Sequence, residues 1–297
     1  MKVPETRGLV ELPKLGWRSV RCFLEHDMTT YAAALAYRAL FALVPFLVSL
    51  VALFGFLEVD GLFAWLADQA NSVLQEQYAG LGEQAIRQIR YQAQGGLLTS
   101  ASIVAIWSVS GGVRSLTKAL NAVHEVRESR PGYKRAMLQV FFASGLAPAV
   151  ILAAALLLIG PRAIEWIVGL VGLDEAFISL WAWLRLPVAL VLLMLTVSIV
   201  YWIVPNVDQP YRLITPGAVL AVIAWVVASL GFSYYILHFA DYSVVYGGLA
   251  TPIVLLLYFY ISAAVLLLGA EVNVAIYSNA SGKDAIGRAR RNDSYLR

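Results

Sequence analysis

Six side chains with chemistry to offer fall on one face of a single apolar segment. If 97–124 is helical, Trp107, Ser110, Arg114, Lys118, Asn121 and Glu125 line up at helical spacing, with Gly111 among them. A hydroxyl, a guanidinium, an ammonium and a carboxamide in succession are donors suited to an anion. Two more ionisable groups interrupt apolar stretches far away in the chain, Arg38 and Glu271, with Asn273 two residues beyond. Within the apolar stretches, Arg38, Arg114 and Lys118 set three positive charges against the one negative of Glu271. The chemistry they suggest is the holding of an anionic group, and Glu271 should be paired with Arg38, Arg114 or Lys118, or else protonated. Tyr246, in the run Tyr246-Gly247-Gly248, completes the set of substrate-path or gate candidates.

The elements that must position these groups are long and greasy. Apolar stretches cover roughly 31–57, 97–124, 136–160, 178–204, 213–238 and 247–277. Each exceeds the roughly 20 residues that a helix needs to cross the hydrocarbon of a bilayer. Backbone left unpaired in lipid is too costly, so the spans should be helices. The expected fold is therefore all-α: a polytopic membrane protein with six transmembrane helices and amphipathic interfacial or periplasmic helices. Composition agrees, with 60% hydrophobic and only 14% charged residues, where a soluble domain carries nearer a quarter charged. One cysteine, Cys22, excludes an internal disulfide and a paired-cysteine metal site.

Positive charge sets the topology. Counting Lys and Arg outside the spans gives fifteen on the side of both termini, the 125–135 loop and the 205–212 loop, against three on the other. The positive-inside rule then places both termini and the 125–135 loop in the cytoplasm. Residues 1–30 form a cytoplasmic segment, 31–277 the six-span domain and 278–297 a basic cytoplasmic tail. Within the first, 14–25 reads as an interfacial helix, with Trp17, Val20, Phe23 and Leu24 on one face and Lys14, Arg18, Arg21 and Glu25 on the other. The 58–96 segment is the large extracytoplasmic element, apolar at helical spacing, and a shorter amphipathic piece runs from Ile164 to Val171.

Depth within the spans gathers the candidates. Arg38, Lys118, Arg114 and Glu271 all lie roughly 9–15 Å from the predicted cytoplasmic ends of their helices. The competing account for the cations is snorkelling of long side chains to headgroups. For Glu271 it is a purely structural pair. Arg185, after Trp181 and Trp183, reads as an interface anchor. Pro45, Gly111-Gly112, Pro148, Pro187, Gly231 and Pro252 are places where a span could break, as in transporters with discontinuous helices, although Gly and Pro are common in membrane helices anyway; Gly111-Gly112 could instead let another backbone approach.

Several short pieces together resemble the YihY/BrkB family of bacterial inner-membrane proteins, formerly labelled ribonuclease BN. They are Asp27-Met-Thr-Thr, Leu35 to Tyr37 with Pro45 following, Ser108 to Ser110 leading to Ala119-Leu-Asn121, Tyr201 to Pro205, Pro216-Gly-Ala218, Phe232 with Tyr235, Tyr246-Gly247 and Leu267-Leu-Gly-Ala-Glu271. Their order and spacing over about 25–280 carry the resemblance. It implies six spans, cytoplasmic termini and a role in moving lipid or lipid-like anions.

The expected function is that of an inner-membrane transporter moving a lipid or other amphipathic anion through a cytoplasm-facing basic cavity. No enzymatic activity, cofactor, metal or nucleic-acid partner is expected. The expected partners are anionic membrane lipids and an anionic or lipid substrate, and a homo-oligomer is compatible with this. A scaffold that organises envelope partners is the alternative. A ribonuclease is a third reading: His26-Asp27 and His124-Glu125 could face each other at the cytoplasmic surface, but no motif with metal-ligand spacing is present.

Overall fold

A computed structural model of the chain describes residues 12–56, 95–142, 175–210, 212–239 and 250–280. The described residues form seven helices: α1 (Leu12–Glu25), α2 (Met28–Phe56), α3 (Gly95–Val123), α4 (132–142), α5 (Glu175–Ile203), α6 (Pro216–Phe239) and α7 (Ala250–Ala280). Four of them hold stretches long and apolar enough to cross a membrane: Met28–Val48, Leu186–Ile203, Pro216–Ile236 and Thr251–Tyr277. Those four match four of the six expected spans. The second expected span is helical as α3. Most of the third, 136–160, lies outside the described residues, so the described part supports four spans rather than six. Most of 58–96, the piece Ile164 to Val171, Tyr246 and most of the basic tail also lie outside.

Helix ends follow from local chemistry. Asp27 stands between α1 and α2 with φ 55°, and its carbonyl accepts the N–H groups of Thr30 and Tyr31. Those carbonyl bonds put Asp27 at the N-cap position of α2, and its carboxylate accepts the Thr30 hydroxyl at 3.0 Å. At the end of α3, Glu125 takes a left-handed φ of 53°. Its N–H bonds Ala122 O, and the N–H of Val126 reaches back to Asn121 O, the pattern of a Schellman cap. Thr215 caps α6 through its carbonyl and hydroxyl, and Pro216 fills the first helical position, where no N–H is needed.

The chain divides into two compact units, one of Met1–Ala36 with Val113–Arg297 and one of Tyr37–Gly112. In the first unit α6 packs along α7, α1 lies against α7, and α5 lies against α6. Small residues let α6 and α7 approach. A Cβ on Gly217 would collide with the carbonyl oxygen of Gly269, and one on Gly269 would meet Gly217 O and Tyr201 Oη at 2.6 Å. Ala218, Ala221 and Ala270 continue this contact, the small-residue packing expected between membrane helices. Trp225 Nε1 donates to Ser262 Oγ at 3.1 Å across the same pair. Much of the outward surface is apolar, for example Leu192, Val227, Leu230 and Leu256, which suits helices solvated by lipid.

Two expectations about helix breaks are corrected. α2, α5, α6 and α7 continue through Pro45, Pro187, Gly231 and Pro252. α3 runs unbroken through Gly111-Gly112, where neither glycine meets another backbone among the described residues. A Cβ at Gly111 would find the Arg38 guanidinium at 2.7 Å, and one at Gly112 would find open space. The close backbone approach belongs to Gly217 and Gly269 instead.

Candidate functional site

The polar stripe of α3 splits into two kinds of residue. Asn121 is buried, at 4% exposure, and its carboxamide is fully committed. Oδ1 accepts the N–H of Asn206 at 2.7 Å, and Nδ2 donates to Glu128 Oε2 at 3.0 Å. Asn206 in turn donates to Arg127 O and Ser129 Oγ, so the 125–131 loop is tied to both α3 and the end of α5. Arg114 and Lys118 are exposed. They lie on the outer edge of α3, while Val113, Ser115, Ala119 and Leu120 face the core.

Arg114 and Lys118 open into a pocket of about 440 Å³ whose other walls are the 125–131 loop and α4. Thr117, Asn121, Arg130, Arg135 and Gln139 share its lining, with Glu128 the carboxylate among the lining residues. Arg130 is engaged elsewhere. Its guanidinium donates to Ile203 O, Val204 O and Pro205 O at 2.8–3.2 Å and so satisfies the carbonyls left over at the end of α5. Glu128 is likewise engaged by Asn121 and the N–H of Arg130. Arg114 reaches Gln139 Oε1 at a marginal 3.5 Å. Among the described residues no carboxylate is in ion-pair range of Arg114, Lys118 or Arg135. Three cations thus face one concave space, a setting that concentrates positive potential and can hold a phosphate or carboxylate.

The remaining candidates do other work. Arg38 and Ser110 belong to the Tyr37–Gly112 unit, where Arg38 rests over Gly111. Asn273 is buried; it accepts the N–H of Gly217 at 2.7 Å and donates to Thr215 Oγ1 at 3.0 Å, satisfying the first turn of α6. Glu271, at 2% exposure, is paired, but not with Arg38, Arg114 or Lys118. Its partner is His26, whose Nδ1 lies 2.7 Å from Oε1. The tight turn between α1 and α2 brings the imidazole onto α7, a partner outside the Lys and Arg residues expected for Glu271. His26 Nε2 also approaches Glu125 Oε1 at 3.6 Å. The expected meeting of His26 with the His124-Glu125 end of α3 therefore takes place. No group of three His, Cys, Asp or Glu side chains able to hold a metal ion is found among the described residues.

Several pieces behind the family resemblance meet in this unit. Tyr201 Oη donates to Leu266 O, next to the Leu-Leu-Gly-Ala-Glu run, and Pro216-Gly-Ala218 packs on that run through Gly217 and Gly269. The profile of the family described as Virulence factor BrkB matches residues 19–293. The ribonuclease-like protein YfkH of Bacillus subtilis is 32% identical over 257 residues, covering 85% of this chain and 91% of that protein. A UPF0761 membrane protein of Pseudoalteromonas translucida is 28% identical over 267 residues, 86% of this chain and 83% of its own. One of Stenotrophomonas maltophilia is 29% identical over 258 residues, 84% of this chain but 58% of its own, longer sequence. No solved structure matches. By the extent of these matches, the chain belongs to the BrkB (YihY) family of membrane proteins.

Proposed function

We propose that this protein carries an anionic lipid, or another amphipathic anion, across a bacterial inner membrane in which both of its termini are cytoplasmic. The observation that carries the reading is the pocket bounded by α3 and α4, where Arg114, Lys118 and Arg135 converge without a carboxylate partner among the described residues. An unpaired cation cluster next to apolar helices is unfavourable unless a ligand or headgroup neutralises it. Arg130, Asn121 and Glu128 fix the pocket walls and leave those three cations to the ligand. The exposed stripe Trp17, Val20 and Leu24 on α1 supports seating at a membrane surface. In this reading the protein is not an enzyme and needs no cofactor, and self-association is compatible with it.

The test is reconstitution into liposomes, with translocation of a fluorescent anionic phospholipid and uptake of a soluble organic anion measured side by side. Movement of either cargo faster than in protein-free vesicles supports the reading. The name of the Bacillus relative points to a different class, hydrolysis of RNA. The same preparation incubated with RNA decides between them: cleavage without lipid or anion movement would overturn transport.

A further inference from the structure

His26 presents both ring nitrogens to carboxylates, Nδ1 to Glu271 at 2.7 Å and Nε2 to Glu125 at 3.6 Å. A neutral imidazole has one N–H to give, whereas an imidazolium has two. The Nδ1 contact is a hydrogen bond and Glu125 lies within ion-pair range of Nε2, so a proton on the ring would serve both carboxylates at once. Glu271 is the buried member, and without the ring's proton its charge would stand uncompensated.

The backbone points to the same corner. Among the described non-glycine residues, Asp27 and Glu125 have positive φ, and they are the chain neighbour and the outer partner of His26. Asp tolerates that conformation, but the position of Glu125 is one that glycine ordinarily fills. A carboxylate kept there against local preference is explained by its reach to His26. Such strained positions gather at functional sites.

We infer that His26, Glu271 and Glu125 form one proton-binding site, and that loss of its proton loosens the α1–α2 turn from α7 and from the end of α3. The other charged and titratable groups at this corner are Arg18, Cys22 and Glu25 of α1, Asp27 and His124. Burial, then the Glu271 charge, pushes the Cys22 thiol up from its ordinary value. The site also connects to the basic pocket: in the cap that places Glu125, the carbonyl of Asn121, a pocket-lining residue, accepts the N–H of Val126.

The sign follows from proton linkage. A proton bound by this site in the folded protein contributes stability that is present at acid pH and lost as pH rises. The full-length protein in detergent is melted at a series of pH values from about 5 to 8, the range in which histidines change charge. The wild-type midpoint is expected to fall by on the order of 4 °C as pH rises. His26→Asn should melt with that fall abolished. Glu125→Gln, at an exposed site, should fold and show a smaller fall than wild type, because one of the two carboxylates facing the ring is gone. A wild-type midpoint flat over this range, or a Glu125→Gln profile superimposable on wild type, would overturn the inference, whether or not His26→Asn folds.

Discussion

Asn121 and Asn273 each satisfy backbone N–H groups beyond their own helix, Asn206 in one case and Gly217 in the other. That accounts for two of the polar residues that stand out in apolar segments. Among the described residues, Arg114 and Lys118 have no such task. The difference predicts opposite behaviour on truncation. Asn121→Ala leaves a buried N–H and part of the Glu128 carboxylate unpaired, and should lower stability by about 1–3 kcal/mol in detergent melts. Arg114→Ala and Lys118→Ala should stay within about 0.5 kcal/mol of wild type. Equal losses for the three would mean that the cations are structural as well. From the sequence, the helical spacing brought Arg114, Lys118 and Asn121 onto one face, and all three line the pocket. Spacing could not separate them, because which amide is consumed by the fold depends on Asn206, 85 residues away. His26 was weighed only as a metal ligand; its pairing with Glu271 spans 245 residues and has no local signature.

Among the elements, α6 and α7 are held at close range by Gly217 and Gly269, each packed against the other's backbone. Gly269→Ala must push α6 and α7 apart, and overpacking of this kind costs about 1–3 kcal/mol. Gly231→Ala, on the same α6 but with open space around it, should be neutral or stabilising by up to about 1 kcal/mol. Thermal melts of the two variants compare them directly; a Gly269→Ala protein as stable as Gly231→Ala would show that the contact relaxes freely. The apolar stretches gave α2, α5, α6 and α7 to within a few residues, since hydropathy and length are read directly from the chain. The role of the glycines was not legible. Gly111-Gly112 looked like the close approach, yet a small residue permits a neighbour without supplying one, and only tertiary packing selects Gly217 and Gly269. The interfacial helix was legible in extent, but α1 docks on α7 with Ser19 buried and Cys22 half-buried, His26 following in the turn, and leaves Trp17, Val20 and Leu24 outside.

For the whole molecule, the fifteen-to-three division of Lys and Arg predicts that a reporter fused after Arg297 is active on the cytoplasmic side and silent in the periplasm. Periplasmic activity would invert the pocket and defeat a cytoplasm-facing entry for the anion. The central claim is that Arg114, Lys118 and Arg135 hold that anion. Its most direct measurement is the liposome assay repeated with a Lys118→Glu, Arg135→Glu double variant whose melting temperature matches wild type. Two reversed charges replace attraction by repulsion at the pocket, so anionic cargo should move at least about tenfold more slowly, a loss corresponding to about 1.4 kcal/mol or more. Undiminished movement by a stably folded double variant would contradict the account.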